Sequence, residues 1–378
     1  MPTPATADAR ANRAAEQTPA EFLYGRVPAR DRMTQIEDVT RSMGDEPGEL
    51  ARRDGCPKRM VFGPCGGLRV GGRCEIDERP CPFITAAAPH WHEAAEVGPV
   101  PLSSEAGRVP LIITDFRPAE PTFASARALA RRYDGWSDAV LLGDHHDRVD
   151  LPNVTLAAIT LDEGCAPWVT LSCRDRNRVA LEADLAVYAQ MGVAGVHCVT
   201  GDACAPHIRP ESTPVFDLDS VRLTAVARTF GLTVSVAESP LVEPTDQRPL
   251  RTADKHRAGA SWCFINLGTD AEHMALFISA ARRCGAALRF AACVAVFTDR
   301  DSAQRLGRLP GVTLTADDTA NVVGSPDPVA AGIDHAVTQA HAFLAVDGVE
   351  AINLSGPASA ASAVDGVAVM QAVVERLR

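Results

Sequence analysis

Short apolar runs alternate with longer stretches of helical spacing along the C-terminal two-thirds of the chain. The clearest unit is Val169–Asp202, where an apolar run, a charged turn, an amphipathic stretch, a second apolar run and a small acidic loop follow in order. This order predicts a strand, a helix and a second strand. It places Gly201 and Asp202 just after the second strand, where a ligand can be reached.

The same pattern recurs from Pro110 onward. Strands are predicted at Leu111–Phe116, Ala139–Gly143, Val169–Cys173, Gly195–Thr200, Thr233–Ala237, Trp262–Leu267, Leu288–Val296 and Ala351–Leu354. Helices are predicted at Thr122–Arg132, Arg178–Met191, Ser220–Phe230, Thr252–Ala258, Ala271–Cys284, Ser302–Leu309, Pro328–Val346 and Ala360–Leu377. This alternation predicts an α/β fold, a (βα)8 barrel, with an open doubly wound sheet as the alternative. The first strand is followed by DFRPAEP, without the glycine-rich turn of a dinucleotide-binding sheet.

In a barrel of this kind the functional side chains lie where strands end and loops begin. That rule selects a set of polar residues that includes Asp115, Asp144, Cys173–Asp175, Thr200–Asp202, Glu238, Asn266–Asp270, Thr298–Asp299 and Ser355. His145 and His146 follow the second strand and could act as acid–base groups or contact phosphate.

Composition narrows the class of protein and divides the chain. The 378 residues carry a formal net charge of −11, which disfavours nucleic acid as a partner because phosphate binding needs a basic face. No apolar run is long enough to span a membrane, and no signal peptide is evident, so a cytoplasmic protein is expected. We predict a disordered lead-in at 1–32, a cysteine-rich domain with a linker at 33–108, beginning with a short helix from Met33, and the barrel at 109–378.

The segment 56–83 is dense in Gly, Pro and Cys and has little helical or alternating period. Such a segment buries little apolar surface and needs an additional cross-link, such as a bound metal, to be stable. Cys56, Cys65, Cys74 and Cys81 could hold a structural metal, either zinc or an iron–sulfur cluster. The alternative is a small loop domain with free, buried cysteines. Eleven cysteines without a secretory context favour reduced thiols over disulfides.

Several segments resemble one family. CRDRNR at 173–178, TGD at 200–202, VSVAESPLVEP at 234–244, DKHRAG at 254–259 and WCFINLGTD at 262–270 resemble the methylenetetrahydrofolate reductase barrel. CPKRMVFGPCGG and the cysteines after it resemble the cysteine-rich domain known as the methylenetetrahydrofolate reductase C-terminal domain. Together the matches cover roughly residues 35–83 and 110–357.

The resemblance implies a TIM barrel that passes hydride from NAD(P)H, through FAD or FMN, to 5,10-methylenetetrahydrofolate, giving 5-methyltetrahydrofolate. It implies that Asp202 lies near the pterin and flavin, that Asn266 replaces a folate-contacting Gln, and that Lys255 contacts flavin phosphate or ribose. The family's acid aligns with Thr114, and Asp115 beside it supplies the acid only if the register of the strand slips by one residue, as at a bulge or the strand end. Further binding residues are expected at the same rim: Thr170, Arg174, Asp175, Thr200, Glu238 and His145.

The sequence departs from the family pattern at three positions. Thr114 stands at the position of the family's acidic residue, with Asp115 beside it. Thr170 replaces a flavin-side His, and Val236 replaces a Tyr. These changes favour folate binding over flavin binding and leave open direct hydride transfer from a nicotinamide. The alternatives are a folate-dependent one-carbon transferase on the same barrel, or a non-catalytic folate-binding or partner subunit. A homo-oligomer is also open.

Overall fold

The computed structural model describes residues 55–77, 79–85, 88–91, 110–145, 148–202, 211–309, 312, 314–356 and 364–378. The predicted lead-in at 1–32, the helix predicted from Met33, and His146 lie outside the described residues. None of the helices in these ranges combines the length and apolar content needed to cross a bilayer.

Eight parallel strands close into a barrel in sequence order, which confirms the predicted α/β barrel. The strands are β1 Leu111–Phe116, β2 Ala139–Leu142, β3 Pro167–Ser172, β4 Gly195–Val199, β5 Val234–Glu238, β6 Trp262–Ile265, β7 Arg289–Ala295 and β8 Val349–Ser355. The closing pair is β1 with β8, in which Leu111 is paired with Ala351. Every predicted strand is present, with bounds shifted by at most a few residues.

Helices follow the strands on the outside of the barrel, except the first, which lies in the cysteine-rich segment before β1. They are α1 Pro82–Thr85, α2 Phe123–Tyr133, α3 Asn153–Asp162, α4 Arg178–Met191, α5 Ser220–Arg228, α6 Arg248–Arg257, α7 Ala271–Arg283, α8 Arg300–Leu306, α9 Ala316–Val323, α10 Pro328–Leu344 and α11 Gly366–Leu377. The sequence did not predict α3 or α9. In α3 the β-branched Val154, Thr155, Ile159 and Thr160 lower the helical propensity, and packing between strands overrides it.

Strand residues alternate between two buried clusters. Ile112 and Phe116 belong to the cluster that packs the strands against the helices. Leu111 and Ile113 belong to a second cluster, with Trp168 and Phe264, that fills the inside of the barrel. Because side chains alternate along a strand, Asp115 faces the barrel interior together with Leu111 and Ile113.

The cysteine-rich segment packs on the carboxyl end of the barrel. It has a small core of Met60, Leu68, Cys81 and Phe83. Backbone bridges pair Arg69 with Arg73 and Arg73 with Pro80. The segment is therefore a compact loop structure with few regular elements, as its Gly and Pro content predicts.

Buried hydrogen bonds fasten this segment to the barrel on two sides. Asp219 caps α5 by accepting from Arg222 N, and its second oxygen accepts from Val61 N at 3.0 Å and Phe62 N at 3.2 Å. On α6, Arg248 donates to the carbonyl oxygen of Cys65 at 3.0 Å. The segment is thus held across the mouth of the barrel.

Candidate functional site

A cavity of about 320 Å³ opens at the carboxyl ends of the strands. This is within the size range of small-molecule pockets. The cysteine-rich segment contributes Lys58, Cys65, Gly66 and Gly67 to its wall. The barrel contributes most of the residues that the sequence selected: Asp115, Thr170, Arg174, Thr200, Asp202, Glu238, Lys255 and Asn266.

Asp175 and His145, two of the expected binding residues, do not line this cavity. The strand-end residues Cys173, Thr269, Asp270, Thr298 and Asp299 do not line it either. Asp175 accepts the guanidinium of Arg174 at 2.8 Å and 2.9 Å, and its own side chain is largely exposed. His145 pairs through Nδ1 with Asp150 Oδ2 at 3.2 Å. It remains close enough to Asp115 to help lower the pKa of that carboxyl. Asp175 therefore orients Arg174 at the turn, and His145 lies behind the cavity wall.

Asp115, and not Thr114, occupies the inward position at the end of β1. The Thr114 hydroxyl lies 2.7 Å from Ser137 Oγ, on the opposite face of the strand. Asp115 is partly buried and accepts from Asn353 Nδ2 at 3.2 Å. Burial raises the pKa of Asp115, although hydrogen bonds from Asn353 and Ser355 oppose the rise. A carboxyl whose pKa is raised can serve as a proton donor.

The TGD loop depends on the glycine at its centre. Gly201 has φ +93°, a conformation that residues with a side chain rarely adopt. A Cβ at this position would lie 2.1 Å from Ser172 Oγ and 3.0 Å from Arg174 Cβ. Glycine therefore lets β3 and the end of β4 approach each other, which brings Asp202 to the cavity beside Arg174.

Lys58 reaches the same loop from the cysteine-rich segment. Its ammonium donates to the carbonyl oxygen of Gly201 at 2.6 Å and pairs with Glu75 at 2.5 Å. Burial alone lowers the pKa of Lys58, but Cys65, Glu75 and Asp202 outweigh it and raise the pKa. The place of Lys58 in the folded chain makes it part of the cavity wall.

Glu238 lies at the centre of a buried ion network. Its Oε1 accepts from Arg248 at 3.1 Å and its Oε2 accepts from Lys255 at 2.8 Å, with Arg251 Nε at 3.6 Å. Burial raises the pKa of Glu238, but the cations of Lys255, Arg248 and Arg251 outweigh it and lower the pKa to about 2. Lys255 also donates to the carbonyl oxygen of Ala237 at 2.5 Å. Both of these hydrogen bonds hold the Lys255 ammonium within the wall of the cavity.

His197 lines the floor of the cavity, and its only signal in the sequence is a polar residue inside an apolar strand. It faces inward from β4, and its ring packs on Phe264 with centroids 4.8 Å apart. Its Nδ1 lies 2.9 Å from Ser235 Oγ. Burial, with the Lys255 ammonium nearby, lowers the pKa of His197 to about 3. The imidazole is therefore neutral at physiological pH.

The four predicted metal cysteines do not share one environment. Burial raises the pKa of Cys56 and of Cys81, and the nearby Cys74 raises each further. The Cys65 thiol instead donates to Glu75 at 3.3 Å and lines the cavity. Within the described ranges, no three His, Cys, Asp or Glu side chains are arranged to hold a metal ion. A metal on these four cysteines therefore stays a prediction, and no chemistry is assigned to it.

Comparison with known proteins bears on both parts of the chain. Residues 43–96 match the family model described as "Methylene-tetrahydrofolate reductase C terminal". The resemblance of the cysteine-rich segment to that domain is thereby confirmed. No curated protein matches the chain significantly.

Among solved structures, the chain is similar to an uncharacterized protein from Clostridium thermocellum that binds two copies of 5-methyl-5,6,7,8-tetrahydrofolic acid. The TM-score is 0.50 at 10% identity, over 70% of this chain and 93% of that chain. An oxaloacetate acetylhydrolase in complex with 3,3-difluorooxalacetate gives a TM-score of 0.38 at 10% identity, over 65% and 74% of the two chains. At this level of identity the first likeness establishes the shared barrel fold.

Proposed function

We propose that the chain binds a reduced folate at the mouth of its barrel and reduces 5,10-methylenetetrahydrofolate to 5-methyltetrahydrofolate. One observation carries the proposal: a partly buried carboxyl of raised pKa, Asp115, shares one cavity with Asp202 of the TGD loop. The family match of residues 43–96 supports it. So does the bound 5-methyltetrahydrofolic acid of the similarly folded Clostridium thermocellum protein.

In the proposed reaction Asp115 is the acid. Its carboxyl protonates N10 of the substrate, the C–N10 bond of the five-membered ring breaks, and an iminium forms at N5. A hydride from a reduced nicotinamide then adds to the iminium carbon and gives the N5-methyl group, while the nicotinamide is oxidised. The solvent returns the proton to Asp115. This role requires the protonated carboxyl that burial favours.

The pterin ring would be held by groups of complementary polarity. Asp202 is a carboxylate that can accept from the amino group and ring N–H of a pterin. Asn266 donates through Nδ2 to Ser239 Oγ at 2.8 Å, which fixes the amide and leaves its carbonyl oxygen as a further acceptor at the cavity. Arg174 and Lys58 lie near Asp202 and hold its charge in place.

The residues that the resemblance assigns to flavin do not fit that role here. The ammonium of Lys255 is held by Glu238 and the carbonyl oxygen of Ala237, and Thr170 stands in the cavity where the family has a His. We therefore route no step through a flavin and propose direct hydride transfer from the nicotinamide. The visible spectrum of the purified protein tests this point, since bound flavin would give its characteristic absorption bands.

The decisive experiment supplies 5,10-methylenetetrahydrofolate with NADH or NADPH, follows nicotinamide oxidation and identifies the product by mass spectrometry. We expect 5-methyltetrahydrofolate. Asp115→Asn should lower turnover by about 10²- to 10⁴-fold while folate binding, measured by calorimetry, is retained. Asp246→Asn, an exposed control, should leave both unchanged. Folate binding without turnover with any donor would contradict the reductase and leave a binding subunit. A different one-carbon product would indicate a transferase.

A further inference from the structure

Two neighbouring groups inside the barrel, the Ser235 hydroxyl and the Val196 carbonyl, bear on the tautomer of His197. Ser235 Oγ accepts from Trp168 Nε1 at 2.9 Å and lies 3.3 Å from the carbonyl oxygen of Val196. We assign the hydroxyl proton to that carbonyl oxygen. In this assignment the 2.9 Å contact between His197 Nδ1 and Ser235 Oγ takes its proton from the imidazole. Nε2 then carries a lone pair and can only accept.

Within the described part of the chain, no protein group bonds to that lone pair. Among the residues that the structure describes, the imidazole contacts Ser235 through Nδ1 and Phe264 through its ring face, and Nε2 bonds to neither. The side chain is 7% exposed, and the exposure is to the cavity that it lines. A polar atom in a buried site needs a hydrogen-bond partner, so Nε2 is an acceptor held ready for a ligand.

We propose that His197 is a specificity-determining residue that accepts a hydrogen bond from an N–H of the pterin ring. The inference rests on the proposed function and goes beyond it, because neither the family resemblance nor the comparisons assign His197 a role. A reduced pterin carries N–H groups on both of its fused rings. A neutral acceptor on the floor can pair with one of them while the Asp202 carboxylate, on the rim, takes another. The two acceptors lie on one strand and the loop that follows it, which fixes the ring in one orientation.

A matched pair of substitutions separates recognition from structure. In His197→Asn the amide reaches the position of the wild-type Nδ1 and can keep the contact with Ser235, but no acceptor stands at the position of the wild-type Nε2. In His197→Gln the longer side chain reaches the position of Nε2 and restores an acceptor there. Both lose the ring contact with Phe264, and only the Gln variant also gives up the contact with Ser235. Weaker binding in the Asn variant than in the Gln variant therefore reports the lost acceptor.

The measurement is calorimetric binding of 5-methyltetrahydrofolate and of 5-methyltetrahydropterin, which lacks the p-aminobenzoylglutamate tail. His197→Asn should raise Kd about 10-fold for both ligands, because the lost contact is to the ring. His197→Gln should stay within about 3-fold of wild type.

Three results would overturn the inference: unchanged affinity in His197→Asn, equal weakening in both variants with a fall in Tm, or a loss confined to the ligand that carries the tail. Failure of the wild-type protein to bind either ligand would refute the proposed function itself, and the inference with it.

Discussion

The ammonium of Lys58 donates a 2.6 Å hydrogen bond to the carbonyl oxygen of Gly201, the residue before Asp202. This contact joins the cysteine-rich segment to the loop that ends β4. The two residues are 143 positions apart in the sequence, so only the folded chain brings them together. The segment is therefore part of the candidate site, and the barrel alone does not complete the cavity.

Replacing Lys58 with Met should lower the affinity for folate by more than it lowers the stability of the folded protein. The substitution removes the cation next to Asp202 and leaves the buried Glu75 without the Lys58 ammonium. Loss of a charge-assisted hydrogen bond of this kind corresponds to about 1.5–3 kcal/mol, so we expect Kd for 5-methyltetrahydrofolate to rise by roughly 10-fold or more. Calorimetry with a parallel measurement of Tm checks this.

The control for Lys58 comes from the same segment. Arg79→Met removes a cation whose side chain is half exposed and pairs with Asp77, away from the cavity residues. Exposed pairs contribute little, so its Kd should match wild type. Equal binding in Lys58→Met and Arg79→Met would show that the cysteine-rich segment does not take part in ligand binding.

Asp115 should make stability depend on pH in a specific direction. Burial raises its pKa, so the folded chain binds the Asp115 proton more tightly than the unfolded chain. The stability from this group is present below the unfolded pKa, about 3.9, and is lost as pH rises through the folded value. Asn at this position does not titrate, so the Asp115→Asn variant does not lose this stability as pH rises. The Tm of the variant minus the Tm of wild type should therefore increase from about pH 4 to about pH 7. A difference that does not increase over this range would mean that the folded chain holds the Asp115 proton no more tightly than the unfolded chain.

The barrel could be predicted from the sequence because its strands are short apolar runs separated by helical spacing. β1 and α4 were predicted at their observed bounds, Leu111–Phe116 and Arg178–Met191. The helix α3 was missed because its β-branched residues favour strands locally, and only packing against the barrel makes it helical. The sequence pattern therefore predicts an element correctly where the local propensity of its residues and its tertiary packing favour the same structure.

The site was predictable in part for the same reason. Strand-end carboxylates such as Asp202 and Asp115 follow from the geometry of parallel barrels. Lys58 could not be placed, because its contact with Gly201 depends on how a loop-rich segment packs. His197 could not be recognised either, because its lone pair is oriented by Ser235 and Trp168 on neighbouring strands. Such hydrogen-bond relays have no signature along the chain.

Glu238→Gln should destabilise the protein severely. The buried cations of Arg248, Arg251 and Lys255 would lose the only carboxylate that the described contacts give this network. Removing one partner of a buried ion network costs about 3–5 kcal/mol. Denaturant unfolding should show a lower midpoint. Asp270→Asn, which removes an exposed carboxylate paired with His273, is the control and should have a much smaller effect.

The stability of wild type and of Glu238→Gln, measured across acid pH, provides a second test of the same network. The pKa of Glu238 is lowered to about 2, so its stabilising contribution is present above the unfolded pKa, about 4.3, and is lost as pH falls toward 2. The difference in stability between wild type and Glu238→Gln should narrow across this acid range. A constant difference would show that the Glu238 charge is not what stabilises the network.

Metal analysis of the purified protein tests the prediction made from the four cysteines. The sequence predicts one structural zinc, or an iron–sulfur cluster, on Cys56, Cys65, Cys74 and Cys81. We expect about one metal ion or cluster per chain, lost in Cys74→Ser and retained in Cys284→Ser, whose thiol lies at the end of α7. Because the segment carries Lys58, chelation should also raise Kd for 5-methyltetrahydrofolate. If the protein is folded without metal and binds 5-methyltetrahydrofolate with the same Kd before and after chelation, the alternative of free, buried thiols is supported instead. The placement of the Cys65 thiol against Glu75 favours that alternative for this one residue.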